Sequence, residues 1–449
     1  MKNRILYIVL LFSSLINSIA QFTEVPTPTN TALYSGCTSI GPSNYAYIWV
    51  CGAGGKVYKG RNNPLSLTWL NVSGNLPANA ELVTIAAIDT MIAFTGANIS
   101  TTAYIYKTTN SGTNWVQQFS QPNGHINTVW MRNALTGFAY GNPVGGRWSL
   151  WRTTNGGSTW DSTGRYLPAS GNETGYNNSM WCVGDTIIFG TNNTRTYFSS
   201  NHGASWQIQS TGTETNIFSI YWDFYLPSRL FAGSTSSFMN SSNFGSNWLI
   251  QQNVPGTGNI MGICSYTPGV YGITETIHLY IRSNKIYSGQ YFSGNWAQFY
   301  TSPAGNYTFM FQKRNEPPPA IQGMGSMVAV RDNGGVSICF TCRWGGIRKL
   351  GNKIPTSFSI SQNYPNPFNP TTKIKFQIPA RSAGGAKLSN AKLIVYDILG
   401  REVQTLVNEQ LTPGTYEVDF EGTNLSSGVY YYTFSAGDFV ETKRMVLIK

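Results

Sequence analysis

Thr153-Thr154-Asn155-Gly156-Gly157-Ser158-Thr159-Trp160 is the stretch on which the fold turns, because three other segments align with it without gaps. They are Thr108 to Trp115 (TTNSGTNW), Ser199 to Trp206 (SSNHGASW) and Ser241 to Trp248 (SSNFGSNW). The shared pattern is Ser/Thr-x-Asn-x-Gly-x-x-Trp, preceded each time by a strand-like run such as Tyr104-Ile105-Tyr106 or Leu150-Trp151-Arg152. Weaker copies stand at Val57-Tyr58-Lys59 with Trp69, at Ile286-Tyr287-Ser288 with Trp296, and at Val328 to Gly335. The tryptophans at 69, 115, 160, 206, 248 and 296 are 46, 45, 46, 42 and 48 residues apart.

A repeat of this length suits one four-stranded propeller blade. The motif chemistry fits a hairpin turn between strands. Asn110, Asn155, Asn201 and Asn243 offer a side-chain acceptor to backbone a few residues on, and Gly112, Gly157, Gly203 and Gly245 tolerate positive φ. The hydroxyl residue ties the turn, and Trp115, Trp160, Trp206 and Trp248 begin the next strand, where a large ring wedges between neighbouring blades. The expectation is an all-β chain with a single β-propeller of about seven four-stranded blades, six being the alternative, over residues 21–350. The last repeat has no Trp at the usual place, although Trp344 follows Trp296 by 48 residues. Residues 31–59 and 324–340 should then meet where the ring closes. The motif resembles that of the Asp-box, or BNR-repeat, propellers, which include sialidases, sortilin-like receptors and photosystem II stability/assembly factor-like proteins. The resemblance covers roughly 31–345 and implies the fold; it does not choose among their unrelated activities.

Composition agrees with a turn-rich β protein. Only 11% of the 449 residues are charged, while 13 Trp, 26 Tyr, 23 Phe and 47 Gly favour pleated strands and turns over long charged helices. Lys2 and Arg4, the apolar run Ile5 to Ile16 and Ser18-Ile19-Ala20 read as a signal peptide over 1–20. Ser13, Ser14 and Asn17 interrupt that run before the about 18 apolar residues of a membrane span, and no transmembrane segment is expected in the mature chain. Of the six cysteines, Cys37, Cys51, Cys182, Cys264, Cys339 and Cys342, two of the four terminal ones are expected to staple the ends of the ring and the rest to be buried thiols. Cys339-x-x-Cys342 lacks the second ligand pair that zinc requires, so neither metal nor cofactor is expected.

After a linker at 351–357 the repeat stops. Lys373-Ile374-Lys375-Phe376-Gln377-Ile378 and Tyr416-Glu417-Val418-Asp419-Phe420 alternate as half-buried strands do, and the tail reads as a small Ig-like β-sandwich over 358–449. Four landmarks carry a closer resemblance: Tyr364-Pro365-Asn366-Pro367-Phe368-Asn369-Pro370, the turn at Gly400, the run through Gly428 and Tyr430, and the ending from Lys443. They are similar to the type A sorting domain of the bacterial type IX secretion system. That resemblance implies recognition of 358–449 by the secretion machinery after passage through the inner membrane, and an extracellular or outer-membrane surface location.

Chemistry is harder to find. Glycoside hydrolysis needs two placed carboxylates, and residues 21–356 hold only Glu24, Glu81, Asp89, Asp161, Glu173, Asp185, Glu214, Asp223, Glu275, Glu316 and Asp332. A sialidase would also carry an Arg-Ile-Pro and an arginine triad, and the Arg-Ile-Pro is absent. Gly52-Ala53-Gly54-Gly55-Lys56 lacks the spacing of a phosphate loop. The same residues hold 19 basic side chains, a net of +8 against +1 for the tail, which suits an anionic glycan or surface polymer. Without a Lys/Arg run, nucleic acid is not an expected partner. Arg147 and Trp148, after Gly141-Asn142-Pro143-Val144-Gly145-Gly146, pair a cation with an aromatic ring in a long loop and are the candidate contact residues. Asp89-Thr90-Met91 and Asp185-Thr186-Ile187 resemble short bacterial O-glycosylation sites. The reading favoured by so few acids is a non-catalytic binding or adhesion propeller, with a secreted, sialidase-like glycoside hydrolase as the alternative.

Overall fold

The computed structural model describes residues 22–448 apart from 42–45, 63–66, 224–227, 253, 267–276, 291–294, 313–325, 340–346, 351–353, 381–388, 412 and 423–424. The expected signal peptide, Cys342, Trp344, Glu275 and Glu316 lie outside the described residues. The chain divides into two units, the first ending at Gly345 and the second beginning at Gly346.

Seven antiparallel sheets follow one another in the first unit among the described residues. The first comprises Leu33–Ile40, Ala46–Gly52, Lys56–Arg61 and Trp69–Asn71, and the second Glu81–Ala87, Ala93–Ile99, Thr102–Thr108 and Val116–Pro122. The third has Ile126–Met131, Gly137–Val144 and Arg147–Thr153; the fourth has Gly175–Val183, Thr186–Thr191, Arg195–Ser199 and Gln207–Ser210. The fifth is built from Ser219–Trp222, Leu230–Gly233, Phe238–Ser241 and Leu249–Gln251, and the sixth from Ile260–Tyr266, Ile277–Arg282, Lys285–Gln290 and Asn295–Thr301. In the seventh, Tyr307–Phe311, Met327–Arg331 and Val336–Cys339 are completed by Thr23–Glu24 from the other end of the unit. The first strand of each sheet packs on the first strand of the next, and that of the seventh packs on that of the first, so the sheets form a closed ring.

The third sheet departs from the four-stranded expectation. Its outer edge is met only by two isolated bridges, Arg147 with Pro168 and Arg152 with Asp161. Asp161 Oδ1 accepts the Thr163 amide at 2.9 Å and folds the chain into a turn, and Pro168 has no N–H to give a ladder.

The repeated motif builds identical turns. Thr108, Thr153, Ser199 and Ser241 each accept the amide of the motif glycine through the hydroxyl, at 2.9, 2.8, 2.9 and 2.8 Å. The Asn Oδ1 accepts the amide of the residue before Trp, at 2.9, 3.0, 2.9 and 2.9 Å. Gly112 sits at φ 84° and Gly157 at φ 82°, and a Cβ on Gly112 would meet the Val72 carbonyl. The residue before each glycine also has positive φ: Ser111 64°, Gly156 67°, His202 57° and Phe244 58°. Its amide bonds the hairpin between the first two strands of the same sheet, as His202 N does with Asp185 O at 2.8 Å.

The rings fill the gaps between sheets. Trp115 packs with Trp49, Val57 and Val72 of the first sheet, its Nε1 donating to Val72 O at 2.9 Å. Trp160 packs with Phe94 and Ile105 of the second, Trp206 against Phe138 of the third, and Trp248 against the core shared by the fourth and fifth.

Closure does not use a disulfide between the ends. Cys37, Cys51, Cys182 and Cys264 are not in disulfides, so although Cys339 is disulfide-bonded, neither Cys37 nor Cys51 is its partner. The ends are held by strand pairing, by a shared core of Leu33, Ile48, Val50, Val328 and Val330, and by Glu24. Its carboxylate accepts from both Arg331 Nη atoms, from Ser337 Oγ at 2.6 Å and from Tyr300 OH at 2.8 Å.

In the second unit two sheets enclose one core. One is Ile347–Lys349, Gly414–Glu421, Thr371–Ile378 and Ser359–Ile360; the other is Glu402–Leu411, Ser389–Tyr396, Gly428–Ala436 and Phe439–Leu447. Ile374, Phe376 and Ile378 are buried at alternate positions and meet Tyr416, Val418, Leu393 and Phe434. Ile347–Lys349 pairs with Tyr416–Val418, so the tail sheet begins before the expected linker at 351–357.

Candidate binding face

The starts of the innermost strands converge, and the residues that join them were not singled out in the sequence. Glu81, which opens the inner strand of the second sheet, pairs in register with Asn98. Asn98 takes the Ile126 amide at 2.8 Å on Oδ1 and gives Nδ2 to Ile126 O at 3.1 Å, fixing the next sheet. Asn142 repeats this by accepting Gly175 N at 3.0 Å from the fourth sheet, whereas Asn192 accepts Thr174 N at 2.8 Å within its own sheet. The signal that was available is a Gly near each: Gly96, Gly141 and Gly190, where a side chain would collide with the adjoining strand start.

This ladder presents a partly exposed polar and aromatic surface. His125 Nε2 lies 3.3 Å from Asn98 Nδ2 and 3.3 Å from Asn177 Oδ1. Tyr176 donates its hydroxyl to Asn216 Oδ1 at 2.6 Å and its ring meets Phe218 at 4.4 Å. Asn178, at φ 62°, crosses the centre of the ring: Nδ2 donates to Tyr34 O at 3.1 Å and Val83 O at 2.9 Å, and Oδ1 accepts Ser35 Oγ at 2.9 Å. Asn178 also lines a cavity of about 50 Å³ with Phe309 and Met131. Asn178 thus ties the fourth sheet to the first and second beside the strand starts.

Burial pushes the His125 imidazole down and the Tyr34 phenol up, and the exposed Glu81 carboxylate acts on both. His125 is thus a neutral hydrogen-bonding group at pH 7.

The candidate pair Arg147 and Trp148 is split by the structure. Arg147 is exposed, but Trp148 is only 2% exposed and packs against Tyr140, Phe189 and Tyr197. Successive residues of a strand face opposite ways, so the ring enters the core when the cation faces out. The Trp148 Nε1 donates to Glu173 Oε2 at 3.4 Å, beside Tyr197 OH at 2.8 Å.

The acids available for catalysis are mostly engaged. Glu24 serves Arg331, Glu173 serves Trp148 and Tyr197, and Glu214 serves Ser234 and Ser237. Asp185 binds Arg132 and His202, Asp332 binds Asn306, Asp89 and Asp161 hold turns, and Asp223 is buried beside Tyr221. Among the described residues no three His, Cys, Asp or Glu side chains gather as a metal set, and no helix is long and apolar enough to cross a membrane.

In the second unit the candidate landmarks lie at one end of the core. Phe368 is buried, its amide bonding Val446 O at 2.9 Å and its carbonyl accepting Ile448 N at 3.0 Å. Asn366 Oδ1 accepts Val446 N at 2.9 Å, while Tyr364, Pro365, Pro367 and Asn369 are exposed and Pro370 O accepts Gly422 N. Gly400 closes a turn at φ 76°, exposed Gly428 opens the strand through Tyr430, whose hydroxyl bonds Ser426 O, and Lys443 pairs with Glu441 at 2.8 Å.

Residues 362–449 match the family described as the secretion system C-terminal sorting domain. No curated protein matches the chain. The solved structure described as YCF48 bound to D1 peptide is similar with 12% identity and a TM-score of 0.53, covering 71% of this chain and 97% of that one. The β-propeller domain of Cps50 (Swd1) from Myceliophteria thermophila is 8% identical with a TM-score of 0.47, covering 70% and 99%. The first unit is a β-propeller, and the tail implies export by the type IX system to an extracellular or cell-surface location.

Proposed function

We propose that the protein is a non-catalytic binding or adhesion module: a propeller whose seven sheets are its blades and whose turns are Asp-boxes, delivered outside the cell by its sorting domain. The observation that carries this reading is the surface at the inner-strand starts. Tyr34, Tyr176 and Phe218 offer partly exposed rings, His125, Asn177 and Asn216 offer neutral polar groups, and Asn178 ties the sheets beside them. Rings that stack and amides that hydrogen-bond, with little charge, suit a sugar polymer. The basic excess of the propeller gives an anionic glycan or surface polymer longer-range attraction.

The type IX machinery is the partner of residues 358–449, and deletion of that span should hold the propeller in the periplasm. The binding reading is tested by a glycan and surface-polymer array on the mature chain, repeated with Tyr176→Ala and Asn216→Ala. Retention of a glycan that both substitutions abolish supports it; no retained polymer, or retention indifferent to both, overturns it. The rival reading, a glycoside hydrolase, has Glu81 as its exposed carboxylate beside Tyr34 and His125, and needs a second. Release of reducing ends that Glu81→Gln abolishes would establish it.

A further inference from the structure

Between the third and fourth sheets lies a cavity of about 100 Å³ lined by Trp130, Arg132, Phe138, Arg152, Ile187 and His202. Cations outnumber acids there. Arg132 Nη1 is 3.2 Å from Asp185 Oδ1, and His202 Nε2 is 2.9 Å from the same oxygen. Arg165 gives Nε to His202 O at 3.4 Å and Nη1 to Thr163 O at 2.8 Å, with the exposed Asp161 carboxylate acting on its charge. Arg152 is half-buried, and among the described residues its guanidinium has neither hydrogen bond nor ion pair.

The repeat explains why that is unusual. Lys59, Lys107 and Arg152 occupy one register position, opposite Trp49, Phe94 and Phe138. Lys59 lies 4.8 Å from the Trp49 ring and donates to Thr90 O at 3.2 Å and to Ser111 Oγ. Lys107 lies 5.3 Å from the Phe94 ring and donates to Gly156 O at 2.7 Å. Ser111 and Gly156 are the motif residue preceding glycine in the next sheet, and the third counterpart is His202. Two members of the series thus find a protein acceptor across the gap. The third faces an imidazole whose Nε2 is committed to Asp185, beside open space.

We propose that this cavity binds a small oxyanion, a carboxylate or sulfate group, with Arg152 as its main partner and Arg132 beside it. A guanidinium presents paired donors that match such a group, and Trp130 and Phe138 shield the contact from water. Asp185 competes for the same cations. The site is separate from the strand-start surface, so it stands whether or not that surface binds a glycan.

The test is a sulfate titration of the full mature chain at constant ionic strength against chloride, followed by calorimetry and melting temperature. The wild type should bind saturably, Arg152→Gln should bind at least about tenfold more weakly, and Asp185→Asn, which removes a competing charge, at least about fivefold more tightly. Arg61→Gln, an exposed arginine of the first sheet, should bind as the wild type does. Melting of each variant in chloride verifies folding, and Asp185→Asn tests the idea even if Arg152→Gln is unstable. No saturable binding in wild type and Asp185→Asn, or equal binding in wild type and Arg152→Gln, overturns the proposal. A uronate oligosaccharide bound more tightly than inorganic sulfate would assign the group to a polymer, and equal affinity would assign it to a free anion.

Discussion

Glu24→Ala should open the ring. Arg331 is a cation whose side chain is 4% exposed, held by a carboxylate that is 28% exposed and lies 307 residues away in sequence. Both Glu24 oxygens meet Arg331, and Oε1 also takes Ser337 Oγ at 2.6 Å and Tyr300 OH at 2.8 Å. Removing the carboxylate leaves the guanidinium with Ser337 Oγ at 3.3 Å and the face of Tyr307 at 5.8 Å, with little water to replace the lost charge. Breaking one side of such a buried pair costs about 3 to 5 kcal/mol, and the partial exposure of Glu24 places this one near about 3. Removing both partners is a different perturbation, because no uncompensated charge remains. Glu24→Leu with Arg331→Met should cost about 1 kcal/mol, a coupling of about 2 kcal/mol or more between the sites. Urea unfolding of wild type, both single variants and the double variant measures this, and hydrogen exchange at Met327–Arg331 reports whether the seventh sheet loosens first. A Glu24→Ala cost under about 1 kcal/mol, or additive single effects, would refute closure by this pair.

Three further outcomes follow from the same geometry. His278 is 2% exposed against Phe231, and burial, then the charge of Arg229, pushes its imidazole down to about 3. Its folded value lies below the unfolded one, so its contribution is intact above about pH 6.5 and is lost as pH falls toward 3, by at most about 1.4 kcal/mol per unit; His278→Leu should flatten that slope in acid unfolding curves. Thr153→Val removes the acceptor of the buried Gly157 amide and should cost about 1 to 3 kcal/mol by denaturant melts, against under about 0.5 for the exposed Ser158→Ala. Trp148→Ala should cost about 3 to 5 kcal/mol and Arg147→Ala under about 0.5; the reverse order would return both residues to the surface.

What was legible in the sequence is what the chain repeats. The four motif turns share one set of hydrogen bonds because hydroxyl, amide and glycine stand at fixed offsets, so spacing alone carries the geometry. The alternation of Lys373 to Ile378 was readable for the same reason. Glu24 and Arg331 were not, since no local pattern links residues 307 apart. Trp148 was misread by treating adjacent residues as one surface, although a strand separates them onto two faces. The strand-start surface escaped because its residues each occur once, in connections of different length, and only the Gly96, Gly141 and Gly190 series hinted at it.

The position before the motif glycine shows where rigidity ends and variation begins. Its backbone is fixed at positive φ in all four turns, yet it is Ser111, Gly156, His202 and Phe244 in turn. The turn is held by the neighbouring hydroxyl and Asn, so this side chain is released from building the fold and free to differ in chemistry. Where it is Ser111 or Gly156 it satisfies a lysine of the preceding sheet, and where it is His202 it does not. A scaffold that repeats its backbone so closely makes such exceptions visible: a cation missing its acceptor in one gap of a regular series is a local departure that the fold itself does not require. For a chain this poor in charge, the gap between the third and fourth sheets is a second place, apart from the strand-start surface, where binding chemistry should be sought.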